Sequence, residues 1–496
     1  MSKKRNYVLL TVALVALLLV GMVGQAFAAA PPPPPPVCRI GATQYATLDE
    51  ALDAVQDGET ITLLTNVTAN EELHITNGKT FAIDPDGYLL DFGGSYLAIR
   101  WGTDVTFLEA DNLINCLYID VTESCRVVFE GNLNLEYSVG VSYQSEMTIN
   151  GNLTSRDSSA NQVAYESSLI VNGNVTTQGE WGVGVTVTEG SSAVINGSVS
   201  AEGDYGVGVI VADGSSLIVD GSVSAQGSGG VGVFAIGTDT ACTINSNVTA
   251  SYAGVICRGA IVTVNGNVTA QGSGGIGVMA IGTDTACTIN GNITASDVGV
   301  ECFSGAIVTV NGNVTVTDAG GVGVFCSGEE LDYEEPNPTG FSAIDEFSRG
   351  FAPMAQALND QVGPFVRTQV FVTGNISATG ADSIGAWALA LGQITVDGTI
   401  AATWERVLIN DDIGVLDEST LKAGYGQYSD DPTATLETIT AVWVKAAAKP
   451  DPEPEKKDEL PPTGDALSIA PLVALGVSSL LLSCGVTWTK KRGARD

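Results

Sequence analysis

The sequence predicts an all-β chain wound as a right-handed parallel β-helix, with three short strands in each coil of about 22 residues. Three observations carry this. An Asn-Gly or related dipeptide recurs at Asn150-Gly151, Asn172-Gly173, Asn196-Gly197, Asp220-Gly221, Asn245-Ser246, Asn265-Gly266, Asn290-Gly291 and Asn311-Gly312, and returns at Thr373-Gly374 and Asp397-Gly398. The first eight are spaced by 22, 24, 24, 25, 20, 25 and 21 residues. A longer block, Ala225 to Asn245, repeats at Ala270 to Asn290 with Ile for Val and Met for Phe, at an offset of 45 residues, two units of the shorter period. Within a unit the apolar period is 2: Ile276, Val278 and Ala280 alternate with Gly277 and Met279, Gly282-Thr283-Asp284 intervenes, and Cys287 and Ile289 alternate before Asn290-Gly291.

Gly, Asn and Asp are expected to supply positive φ at the corners between strands. Stacking of successive coils at ~4.8 Å then makes a parallel ladder, and the usual sense of parallel connections makes it right-handed. A leucine-rich repeat would need regular Leu, where Val, Ile and Gly dominate here. A propeller blade would fit 45 residues, but that block divides into two similar units. Coil length and strand count resemble those of pectate-lyase-like solenoids, a likeness at the level of fold alone.

The remaining elements follow in chain order. Lys3, Lys4 and Arg5, the apolar run Val8 to Val23 and the small residues Ala26 and Ala28 read as a signal peptide over 1–30, cleaved after an A-x-A site. A Pro-rich run occupies 31–37, and 38–445 is the ectodomain. Thr47-Leu48-Asp49-Glu50 is a capping box, so 47–55 is expected to form a short helix whose apolar face (Leu48, Ala51, Leu52, Val55) covers the open end of the solenoid. Residues 327–369 interrupt the array. This insertion opens with acids and carries Phe341, Ile344, Phe347 and Phe351, with Ser342 to Gly350 helical; Phe341, Phe347 and Phe351 are its candidate ligand contacts. Thr438 to Lys445, bearing Trp443, is the closing strand. A Pro- and acid-rich linker, 446–459, spans only about 40 Å when extended.

Leu460-Pro461-Pro462-Thr463-Gly464 precedes an apolar stretch, 466–488, long enough to span a bilayer, and then Lys490, Lys491, Arg492 and Arg495. Pentapeptide, span and basic tail together resemble the L-P-x-T-G sorting signal of Gram-positive surface proteins. The resemblance covers 460–496. It implies transient anchoring in the membrane, cleavage by a sortase between Thr463 and Gly464, and covalent attachment of Thr463 to peptidoglycan on the cell wall.

Charge narrows the partners. The chain has 21 Lys and Arg against 56 Asp and Glu, a net of −35; residues 31–463 hold 14 against 54, a net of −40. Such a surface repels nucleic acid and other polyanions. Candidate chemistry is sparse. Cys242 and Cys287 fall in one inward column, and Cys257, Cys302 and Cys326 in another; they read as small buried hydrophobes, with a Cys302–Cys326 disulfide between neighbouring coils as the alternative that a thiol count decides. The single histidine, His74, lies on an alternating segment and reads as a surface residue. Asp411-Asp412 and Asp430-Asp431 are adjacent carboxylates in the irregular C-terminal region, and Asp84-Pro85-Asp86-Gly87 opens like a calcium loop but has Ser95 where a Glu is needed. The Gly-Val-Gly runs lack the helix of a phosphate loop. No catalytic residue, metal site or cofactor motif is assigned. The reading is a non-enzymatic structural or adhesive surface module binding a host or matrix glycan or protein. A polysaccharide lyase or hydrolase on the same scaffold is the alternative, weakened by a stretch from Asn150 to Cys326 with only Arg156 and Arg258 as cations.

Overall fold

The computed structural model describes residues 34–445 apart from 69–71, 93, 112, 329–365, 411 and 418–419. The expected signal peptide with Ala26 and Ala28, the insertion aromatics Phe341, Phe347 and Phe351, the linker and the expected sorting segment 460–496 lie outside these residues. The chain winds about 13 stacked coils of a right-handed parallel β-helix. Each coil contributes a strand to a first, a second and a third face, as in Ser216–Val219, Val223–Ala225 and Val231–Ile236. Each strand pairs in parallel with its equivalents one coil before and after.

Alternation builds the interior. Register stacks Leu217, Cys242, Val262, Cys287 and Val308 into one inward column of the first face, and all are at most 1% exposed. Burial of each such side chain contributes about 1.5–3 kcal/mol before entropy is charged against it. Identical neighbours also align: Phe107 and Phe129 stack inside the solenoid with centroids 4.6 Å apart and planes 7° apart.

The corners differ from expectation in an instructive way. The Asn-Gly corners between the first and second faces do not need positive φ; of the described glycines between these faces only Gly87 and Gly131 have it. Their asparagines instead form a ladder in which Asn172 Nδ2 donates to Asn150 Oδ1 (2.5 Å) and Asn196 Nδ2 to Asn172 Oδ1 (2.5 Å). A second ladder binds Asn174 N to Asn152 Oδ1 and Ser198 N to Asn174 Oδ1, both 2.8 Å. The Asn-x-Ser/Thr triplets arise from this stacking of amides on coils.

The Gly-Val-Gly runs mark the corner between the second and third faces. A Cβ on Gly208 would lie 2.3 Å from Val223 Cγ1 and 2.5 Å from Gly232 O. Gly277 likewise faces Ile293 of the interior, and this reverses the alternation. Ile276, predicted to lie with Val278 and Ala280, therefore packs in a separate cluster with Phe303, Phe325 and Trp387, while Val278 and Ala280 remain in the main core.

Both ends are covered. Cys38–Ile40 pairs antiparallel with Thr60–Leu63 and closes the first edge. The helix α1, Leu48–Ala54, follows as predicted: Thr47 Oγ1 accepts from Glu50 N (3.2 Å), and Glu50 Oε2 reaches back to Ala46 N (3.0 Å). Leu48, Ala51, Leu52 and Val55 are buried. At the far end the closing strand is Ala441–Lys445, shorter than predicted; it pairs in parallel with Gly392–Val396 and antiparallel with Tyr425–Ser429. The interruption is also tighter than 327–369, because Ser327 ends one coil strand and Thr368–Val372 begins the next.

Candidate ligand-binding surface

The third face returns to the first through a two-residue corner whose backbone is left-handed. Tyr143 and Gln144 have φ of 52° and 60°, Tyr165 and Glu166 of 55° and 57°. Trp101, Glu123, Ser124 and Glu189 share the conformation at equivalent positions. This orientation aims amides along the solenoid axis: Ser124 N donates to Tyr143 O (2.9 Å), Gln144 N to Tyr165 O (2.9 Å) and Glu166 N to Glu189 O (3.0 Å). For a residue with a Cβ the conformation costs roughly 1–2 kcal/mol. Later coils vary at the same corner: Asp213-Gly214 and Gly259 use glycine, whereas Ala390 and Leu391 are again left-handed without it.

The side chains at these strained positions are large and face solvent. Tyr143 is 55% and Tyr165 45% exposed. Their rings stack with centroids 4.5 Å apart and planes 8° apart. Glu123, Ser124, Gln144, Glu166 and Glu189 complete an open groove of about 450 Å³ around the pair. Gln144 Nε2 donates to Glu166 Oε2 (2.9 Å). The Glu189 carboxylate, followed by Tyr143, raises the Tyr165 phenol above its usual pKa. The groove therefore offers apolar ring surface, three carboxylates, a carboxamide and hydroxyls, with no cation in its lining.

A second stack lies on the other margin of the third face. Trp181 and Tyr205, again left-handed, have centroids 4.4 Å apart and planes 17° apart. Gly229 continues that column because a Cβ there would meet the Tyr205 ring at 2.5 Å.

Sequence reasoning missed both stacks. The aromatics stand one coil apart at the same corner, a signal visible only once the register of turns, not of strands, is aligned.

The residues singled out from sequence have structural surroundings. Cys302 and Cys326 are register partners in neighbouring coils, and both are thiols in this structure. Cys302 Sγ donates to Ala306 O (3.3 Å) and Cys326 Sγ to Thr368 O (3.4 Å). Burial, then contact with Cys326, pushes the Cys302 thiol well above its ordinary value. The Cys257 thiol is raised first by its contact with Cys287 and then by burial, and burial takes Cys242 to about 12. Thiols so protonated are poor nucleophiles and poor metal ligands. Among the described residues no group of three or more His, Cys, Asp or Glu is arranged around a common point.

His74 is exposed on the third face, 3.6 Å from the Glu72 carboxylate. Asp411 lies outside the described residues. Asp430 accepts from Asn410 Nδ2 and Thr440 N, both 3.1 Å. Asp431, its pKa lowered by hydrogen bonds from Thr433, caps the following turn. Asp84 accepts from Asp86 N (3.0 Å) in a tight turn where Asp86 and Gly87 are left-handed. Among the described residues no helix is long and apolar enough to cross a membrane, and the predicted span 466–488 lies outside them.

Comparison of the chain with family models, with curated proteins and with solved structures finds no match.

Proposed function

We propose that the chain is a rod displayed on the wall of a Gram-positive cell, serving as an adhesive module rather than an enzyme. In this reading the signal peptide exports the chain, sortase joins Thr463 to peptidoglycan, and the solenoid presents its corners to extracellular ligands. The observation that carries the adhesive part is the Tyr143–Tyr165 pair: two exposed rings held in costly backbone beside an open groove. Aromatic side chains give large contact area for little lost entropy, which is why binding surfaces favour them. The net of −40 over 31–463 favours neutral or cationic ligands over polyanions.

Two measurements test the reading. Release of the chain from intact cell walls by a peptidoglycan hydrolase, but not by detergent, is the expected sign of covalent anchoring; release by detergent alone contradicts it. The purified protein should bind members of a glycan array, and the absence of binding to any of them removes the adhesive assignment.

A further inference from the structure

We propose that the outer side of the third face is a docking surface for residues 329–365 of the same chain, which seat on an apolar strip around Phe325 and Trp387. The inference is independent of the adhesive reading. Register places Met279, Glu301, Phe325, Trp387 and Leu408 in one outward column. Phe303 and Leu389 stand beside it, two residues further along their strands. Most of these side chains form a cluster separate from the main core. An outward side chain on an uncovered solenoid face stays wet: Ile218 and Ile261 of the first face are 43% and 56% exposed. On the third face Glu301, Phe325, Trp387 and Leu408 are at most 8% exposed. The described elements packed against this sheet are its coil neighbours and strands of the adjoining faces. They leave its outer side open, so the cover comes from chain outside the described residues.

Three observations assign that cover to the insertion. The first is where its ends lie. Val366 N donates to Gly328 O (3.2 Å), and Gly328 N to Leu389 O (3.3 Å). The segment therefore leaves and returns at one point, on the margin of this face where Ser327 and Leu389 are register partners.

The second is surplus length. Asn375 N reaches Asn313 Oδ1 across 62 residues, against 25 and 21 for the two preceding rungs of that ladder. Removing the 37 residues 329–365 leaves 25, an ordinary coil. The solenoid needs none of the insertion to close its circuit. The column from Met279 to Leu408 covers four coil spacings, about 19 Å. Half of the insertion, even wound as helix, would reach about 27 Å.

The third is chemistry. Phe341, Ile344, Phe347 and Phe351 recur at the spacing of one helical face, matching the apolar strip. Arg349 is the only cation among residues 329–365, and Glu301 places a carboxylate in the strip at 5% exposure, where a charge calls for an opposite one. The buried Trp387 Nε1 has no acceptor among the described residues, and carbonyls or carboxylates of an acid-rich segment supply one. Phe341, Phe347 and Phe351 thereby become anchors of the insertion rather than contacts for an outside ligand.

Hydroxyl-radical footprinting of the full-length protein, read by mass spectrometry, tests the assignment against Trp101, which is 65% exposed. Trp387 should react at least roughly tenfold more slowly than Trp101, and come within about threefold of it when a Gly-Gly link replaces 329–365. The variant Phe341→Ser, Phe347→Ser, Phe351→Ser keeps the length of the chain and should expose Trp387 and Phe325 in the same way. Glu301→Arg should raise labelling of Trp387, and adding Arg349→Glu should restore protection. Far-ultraviolet circular dichroism and unchanged labelling of Trp101 check that each solenoid is intact. Trp387 as reactive as Trp101 in the parent overturns the covered face. Protection that persists in both the deletion and the triple variant overturns the insertion as occupant and transfers the strip to another segment. Protection that falls on dilution transfers it to a second copy of the chain and likewise overturns the proposal. Failure of Arg349→Glu to rescue Glu301→Arg overturns the charge pairing.

Discussion

Tyr143 and Tyr165 stack face to face at 4.5 Å although each stands in left-handed backbone, at φ of 52° and 55°. The solenoid supplies the spacing, since equivalent corners of neighbouring coils lie ~4.8 Å apart. It also supplies the axial hydrogen bonds that hold the corner, such as Gln144 N to Tyr165 O. The ring pair is thus a by-product of coil geometry that the sequence has filled with aromatics where glycine would serve the fold better.

Alkali should unfold the protein earlier than acid chemistry would suggest. Cys116 and Cys242 are raised by burial from an ordinary 9.0 to about 12, and Tyr118 from 10.0 to about 12 by burial and then by Asp120. A raised folded-state pKa means the folded state holds more protons between the two values. Its contribution is complete below about pH 9 and is lost as pH rises towards 12. Denaturant midpoints measured from pH 7 to 11 should be flat up to about 9 and fall above it. Cys242→Val, matched to the Val262 beside it in the column, should flatten that fall.

Gly208→Ala should destabilise the protein by about 1–3 kcal/mol or more, because the added methyl meets Val223 Cγ1 and the Gly232 carbonyl from the neighbouring coil. Gly214→Ala makes a useful contrast: nothing lies within 4 Å of its Cβ, and only its φ of 71° opposes the change. Urea midpoints should rank Gly208→Ala well below Gly214→Ala. The reverse order would contradict the packing assigned to the glycine column.

Lys422 should latch the C-terminal cover. Its ammonium donates to Thr395 Oγ1 (3.0 Å) and lies 4.8 Å from the Tyr425 ring centre, 5.6 Å from that of Phe371 and 5.9 Å from that of Trp443. Partial burial lowers its pKa, and Asp397 opposes that shift. Lys422→Met should cost about 0.5–2 kcal/mol. In a solenoid each coil touches only its neighbours, so hydrogen exchange should accelerate at Tyr425–Ser429 and Ala441–Lys445 and stay unchanged at Ser216–Val219. Uniform acceleration along the rod would contradict a local latch.

The solenoid was legible because its signals are repetitive. Asn-Gly spacing set the coil length, and period-2 alternation placed Val262, Cys287 and Val308 in one inward column. The capping box at Thr47 was legible for a different reason: it depends on residues within one turn of chain. What escaped was information held between coils. Gly277 looks permissive in sequence, yet a side chain from another strand, Ile293, dictates it and turns Ile276 out of the main core. Tyr143 and Tyr165 look like ordinary loop residues until the corners are superposed. The insertion residues Phe341, Phe347 and Phe351 lie outside the described residues, and the surface described above is at a turn.

The central claim is that the fold tolerates a cost at the Tyr143–Tyr165 corner for the sake of binding. Stability and glycan-array binding of the Tyr143→Asn, Tyr165→Asn variant, measured on one preparation, test it most directly. The variant loses one ring stack worth about 1 kcal/mol and relieves two left-handed residues worth about 1 kcal/mol each. The prediction is a gain of about 1 kcal/mol in unfolding free energy together with loss of affinity. A variant that is less stable and still binds the array as tightly as the parent would contradict the account.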